Sequence, residues 1–140
     1  MVFAGSLFAQ DTPVLKAYYQ VKDDLVKSNS PEVQTHATAM VKAIDALDLS
    51  ASADLKSKLL FDARHLTESK ELDHQREHFA SLTANFSKLN KVYKLTNQPV
   101  YVDFCPMKKV YWLSSEETIK NPYYGSAMLT CGQVKQVMNK

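Results

Sequence analysis

From Asp11 to Tyr124 the chain contains no glycine; its three glycines are Gly5, Gly125 and Gly132. A stretch of this kind is poorly suited to tight hairpins, because few other residues accept positive φ. No phosphate loop or dinucleotide fingerprint can be assembled in it. Long helices, whose interiors glycine weakens, are favoured instead.

The apolar spacing agrees. Thr12-Pro13 offers a capping hydroxyl followed by proline at the first helical position. Val14, Leu15, Tyr18, Val21, Leu25 and Val26 then recur at helical spacing. Ser28-Asn29-Ser30-Pro31 breaks this helix and starts a second, with its stripe on Val33, Ala37, Met40, Val41, Ile44 and Leu47. After a polar linker over 48–52, Leu55, Leu59, Leu60, Ala63 and Leu66 define a third helix. A short break over 67–70 leads to a fourth and longest, carrying Leu72, Phe79, Leu82, Phe86, Leu89 and Tyr93 and ending before Pro99. Four amphipathic helices with short connections predict a mainly α fold, an antiparallel up-and-down four-helix bundle.

Beyond Pro99 the texture changes. Val100-Tyr101-Val102-Asp103-Phe104 and Lys109-Val110-Tyr111-Trp112-Leu113 are β-branched and aromatic, which predicts a small C-terminal β-hairpin turning at Cys105-Pro106-Met107-Lys108. Asn121-Pro122-Tyr123-Tyr124-Gly125 is a turn cluster, and residues 126–139 are expected to close the chain with a short terminal helix. One domain is expected over 11–140, with residues 100–140 as its Cys/Met-containing region.

Residues 1–10, MVFAGSLFAQ, are apolar and uncharged. Leu7-Phe8-Ala9 before Gln10 reads as the end of a signal peptide, so residues 1–10 are taken as a signal-peptide remnant and the protein as exported, in a periplasmic or similar oxidising compartment. The competing reading is a native N-terminal extension packed on the body. No apolar run is long enough to span a membrane. With 17 Lys+Arg against 15 Asp+Glu and no basic cluster, nucleic acid is not an expected partner.

Catalysis finds no motif. There is no nucleophile elbow and no Cys-x-x-Cys, and Asp23-Asp24 and Glu116-Glu117 are neighbours that diverge on a helix. The chain is therefore expected not to be an enzyme. Its notable donors are sulfurs. Cys105 is followed two residues later by Met107, and Cys131 is preceded three residues earlier by Met128. Thiolates and thioethers are soft donors that select Cu(I). If Met128 and Cys131 share a helical turn, they face a turn carrying Cys105 and Met107 and form a sulfur cage. The plain alternative is a Cys105–Cys131 disulfide, contributing about 3 kcal/mol through the unfolded chain. Of the four histidines, His74 and His78 share one side of a helix, a spacing that suits Zn(II) or Cu(II) but also occurs by coincidence. His36 and His65 read as surface or boundary residues.

Tyr101-Val102-Asp103-Phe104-Cys105-Pro106-Met107, Trp112-Leu113-Ser114, Asn121-Pro122-Tyr123-Tyr124-Gly125 and Met128-Leu129-Thr130-Cys131-Gly132 resemble the signature of a bacterial domain-of-unknown-function family, DUF3347. Gln75-Arg76-Glu77-His78-Phe79-Ala80 is similar to a segment of its helical part. The stretch between Met107 and Trp112 departs from the pattern, being short and basic where many members carry a longer insert. Members of that family occur as exported proteins and fused to adaptor subunits of copper and heavy-metal efflux pumps. The resemblance therefore implies periplasmic metal binding, with Cys105, Met107, Met128, Cys131 and His78 as metal ligands and an efflux adaptor as a partner. The resulting expectation is Cu(I) sequestration or handover, with Trp112, Tyr123 and Tyr124 walling the site. Two alternatives stand beside it: a disulfide-stapled interaction module without metal, and a Zn(II) site of Cys105, Cys131, His74 and His78.

Overall fold

Thr12 precedes the first helix, and its backbone N–H donates to the Leu95 carbonyl at 2.9 Å, which ties the start of the helical part to its end. The structure, a computed structural model, describes residues 11–139. The expected signal-peptide remnant over 1–10 lies outside the described residues.

The four helices form where the stripes predict them: α1 (Pro13–Val26), α2 (Ser30–Asp45), α3 (Ala53–Glu68) and α4 (Leu72–Val92). Pro13 and Pro31 sit in first turns, where a missing N–H costs nothing. Asn29 caps α2, its side chain accepting from the Glu32 N–H at 3.2 Å. Thr12 does not cap α1 in this way; its hydroxyl is buried without a partner. Each helix packs on the next in sequence. Among the described residues no helix is long and apolar enough to cross a membrane.

The C-terminal part is a three-stranded antiparallel sheet of order β2-β1-β3, with β1 at Val100–Cys105, β2 at Val110–Ser114 and β3 at Gln133–Met138. A two-stranded hairpin followed by a terminal helix is thus corrected: the last segment is a third strand. The physical reason lies in its register. Val102 pairs with Gln136 and Asp103 with Val134, so Lys135 is an extra residue that bulges β3. A bulge shifts the side-chain period, so Val134 and Val137 fall three apart and mimic helical spacing.

Helices and sheet share one hydrophobic core. Tyr18 of α1 lies at its centre, stacked on Phe79 and close to Phe86, both at 4.8 Å between ring centroids. Its hydroxyl meets the Thr83 hydroxyl at 2.6 Å and accepts from the Leu113 N–H at 3.0 Å, joining α1, α4 and β2. Trp112 is fully buried, and Tyr123 lies between it and Phe79. Those two aromatics are core residues; Tyr124 is half-buried, with Lys108 over its ring at 5.3 Å.

The turn cluster before β3 is docked on the helices. Asn121, fully buried, donates to the Cys131 carbonyl at 2.6 Å and accepts from the Tyr123 N–H at 2.7 Å. Gly125 has φ +58°, and a Cβ there would meet Ser28 Oγ and the Val26 carbonyl, each at 3.0 Å. Gly125→Ala is therefore expected to destabilise the fold by about 1–3 kcal/mol, read as a lowered urea midpoint with an unchanged slope.

Candidate metal sites

The two cysteines lie at one end of the sheet. Cys105 is the last residue of β1 and is fully buried. Cys131 is half-buried and precedes by two residues Gln133, which pairs with Phe104. Both thiols are free. The Pro106–Lys109 turn is closed by the Lys109 N–H donating to the Cys105 carbonyl at 2.7 Å, with Lys109 at φ 58°. Met107 is 64% exposed on this turn, and Met128 is 38% exposed.

Met128 and Cys131 do not share an α-helical turn. A 3-10 turn at Gly125–Ala127 ends at Met128, which is neither helical nor extended (φ −148°, ψ 58°), and the Cys131 N–H then donates back to the Met128 carbonyl at 3.1 Å. Asn121 holds this loop from inside, since its own N–H also donates to the Leu129 carbonyl at 2.7 Å. Gly132 passes so close to Trp112 that a Cβ would lie 2.7 Å from the indole edge.

His78 faces α3 and is held there. Its Nδ1 lies 2.9 Å from Asp62 Oδ1, and Asp62, only 3% exposed, accepts from the Ser81 hydroxyl through Oδ2 at 2.8 Å. The His65 ring stacks on His78, 4.4 Å between centroids at 19°. His74 stands edge-on to His78, with their Nε2 atoms 3.2 Å apart. His65, read from sequence as a surface or boundary residue, is thus part of a three-histidine face with a buried carboxylate behind it. Only the four-residue spacing of His74 and His78 hinted at it.

His36 is not alone either. It pairs with buried Asp24 at 2.5 Å and lies 3.9 Å from Glu32. Burial raises the Asp24 pKa above the ordinary carboxylate value, and the hydrogen bond and charge of His36 oppose that rise. Among the described residues, Asp24, Glu32 and His36 are the one set of three His, Cys, Asp or Glu donors lying within 4.8 Å of one another. Among the described residues, no set of that compactness joins a cysteine to a histidine.

A single side chain ties the helical part to the C-terminal loop. Arg76 of α4 donates from Nε to the Pro122 carbonyl at 2.7 Å, and from Nη2 to the Leu25 carbonyl at 2.8 Å and to Ser28 Oγ at 3.1 Å. Burial pulls its pKa below the ordinary guanidinium value, with nearby Asp73 opposing.

No curated protein and no solved structure matches the chain. A family model does, over residues 14–98, which span all four helices and stop just before β1. The C-terminal Cys/Met segments lie outside that match. Because the match covers more than half of the chain, the protein belongs to the family described as protein of unknown function DUF3347.

Proposed function

We propose that this chain is an exported protein that binds Cu(I) through Cys105, Cys131, Met107 and Met128, for sequestration or handover in heavy-metal efflux, with no catalysis of its own. One observation carries the reading. The two free thiols lie at the same end of the sheet, one from β1 and one from the approach to β3, each with an exposed methionine close by in sequence. Four soft sulfurs are the donor chemistry that prefers Cu(I) to harder cations. The burial of Cys105 and the exposure of Met107 and Met128 suit transfer, since the thioethers meet a carrier before the inner thiolate does. The C-terminal resemblance implies a copper-efflux association, and an efflux adaptor is the partner this reading implies. This reading leaves His78 to the α3–α4 face, where its Nδ1 faces Asp62 and its ring stacks on His65.

The test is anaerobic Cu(I) titration of the reduced protein against a competing chromophoric chelator. One equivalent is expected to bind, with Cys131→Ser abolishing uptake and Met107→Leu and Met128→Leu each weakening it about tenfold, or 1.4 kcal/mol. No uptake by the wild type overturns the reading. If aerobically purified protein also lacks titratable thiols, Cys105 and Cys131 act as a structural staple on an interaction domain.

A further inference from the structure

The face between α3 and α4 has donor geometry that the sulfur site does not use. His74 and His78 present their Nε2 atoms to each other at 3.2 Å. Two imidazole nitrogens on one tetrahedral ion, each about 2.05 Å from it, are themselves about 3.3 Å apart. The pair therefore already has the bite of a chelate. It lies on one helix, at i and i+4, so the backbone holds the separation.

The other ring nitrogens are occupied in the sense that a metal ligand needs. His78 Nδ1 faces the buried carboxylate of Asp62, which only accepts when ionised, so the neutral ring carries its proton on Nδ1 and a lone pair on Nε2. Asp62 is fixed in turn by Ser81. A carboxylate behind a histidine is the arrangement that orients metal-ligating imidazoles and raises their basicity. His65 Nδ1 lies 2.8 Å from the Phe61 carbonyl, again an acceptor only, which leaves its Nε2 bare. Its ring stacks on His78 at 4.4 Å between centroids and lies 6.3 Å from His74, on the same face of the α3–α4 pair, though the three rings do not yet bring a nitrogen each within 4.8 Å of one another. His74 is exposed, so water can complete the coordination sphere. An imidazole–imidazole hydrogen bond accounts for the 3.2 Å contact alone. It does not account for the third ring stacked on His78 or for the buried carboxylate behind that ring.

We propose that His74 and His78, with His65 as third ligand and Asp62 as positioning residue, bind a borderline divalent cation of the Zn(II), Ni(II), Cu(II) class at a site separate from the cysteines. Nitrogen donors on a partly exposed face suit these ions, whereas the sulfurs suit Cu(I).

Co(II) is the probe, because its spectrum separates the two donor sets. The reduced full-length chain is expected to take up one Co(II), displaced by Zn(II), with visible d–d bands and no thiolate charge-transfer band. His74→Gln, at an exposed position that leaves the core intact, is expected to weaken binding at least tenfold, and Asp62→Asn by about 10–100-fold. His36→Gln is expected to leave it unchanged. A thiolate band, an affinity unmoved by His74→Gln, or loss on His36→Gln overturns the proposal. None of these outcomes bears on Cu(I) uptake by the sulfurs, which is read separately.

Discussion

Arg76→Ala is expected to lower the stability of the protein by about 3 kcal/mol and its Tm by roughly 10 °C. The guanidinium links three segments distant in sequence: the end of α1 through Leu25, the α1–α2 connection through Ser28, and the C-terminal loop through Pro122. Hydrogen bonds with a charged donor contribute about 1.5–3 kcal/mol each, and truncation removes the Arg76 donor from the Pro122 carbonyl, while the Leu25 carbonyl keeps the Ser28 N–H at 3.1 Å. Lysine cannot replace the fork, because one ammonium does not reach both carbonyls in the guanidinium geometry. Arg76→Lys is therefore expected to recover less than half of the loss. Chemical denaturation of both variants checks this. Stability within 0.5 kcal/mol of wild type in Arg76→Ala, about the range of an ordinary surface change, would mean that the loop is held by its apolar contacts alone. Hydrogen exchange locates the effect: amides of residues 121–131 are expected to lose protection before those of α2 and α3.

The same side chain shows what was legible in the sequence. The helices were readable because their cause is local: Pro13 and Pro31 mark starts, and Val14 to Leu25 or Leu72 to Leu89 repeat at helical spacing. Strands β1 and β2 were readable for the same reason. β3 was not, because the bulge at Lys135 breaks the alternation that would have marked it. Nothing in the sequence marks this role of Arg76, since its partners are mainly backbone carbonyls, which carry no signature in sequence. The histidine face failed for another reason. His74 and His78 are visible at i and i+4, but Asp62 and His65 join them only through the rotation of α3 against α4, which sequence periodicity does not report. For the sulfurs, the assumed helical turn at Met128–Cys131 is absent, and β3 brings Cys131 to the end of β1 instead.

Asp103→Asn is expected to remove most of the pH dependence of stability between pH 4 and 7, and to make the protein more stable than wild type at pH 8. Asp103 lies in the middle of β1, opposite Trp112 and Val134, and is fully buried, with neither carboxylate oxygen hydrogen-bonded. Desolvation pushes its pKa up to about 7, against the attraction of Lys22, which is itself paired with Asp23 at 2.9 Å. Tyr18 and Tyr19 are the other titratable groups coupled to it, and the charge of Asp103 adds to the rise in their pKa values. The unfolded chain releases this proton near pH 4, whereas the folded chain holds it until near 7. The unfolded state therefore binds fewer protons across that window, and stability falls as pH rises through it. The contribution of the protonated carboxyl is full below pH 4, declines up to 7 and is lost above, by at most about 4 kcal/mol at 1.36 kcal/mol per pKa unit. Asparagine keeps the shape and never ionises, so its curve runs nearly flat in this term. Denaturant unfolding of both proteins at pH 4.5, 6 and 8 provides the measurement, with the difference between the curves isolating Asp103 from Asp24 and the histidines. Parallel curves would show that the carboxylate is solvated by water inside the fold. Converging curves at low pH and separation at high pH would show an uncompensated charge two residues before Cys105, weakening the strand that carries the inner thiol as the solution turns alkaline.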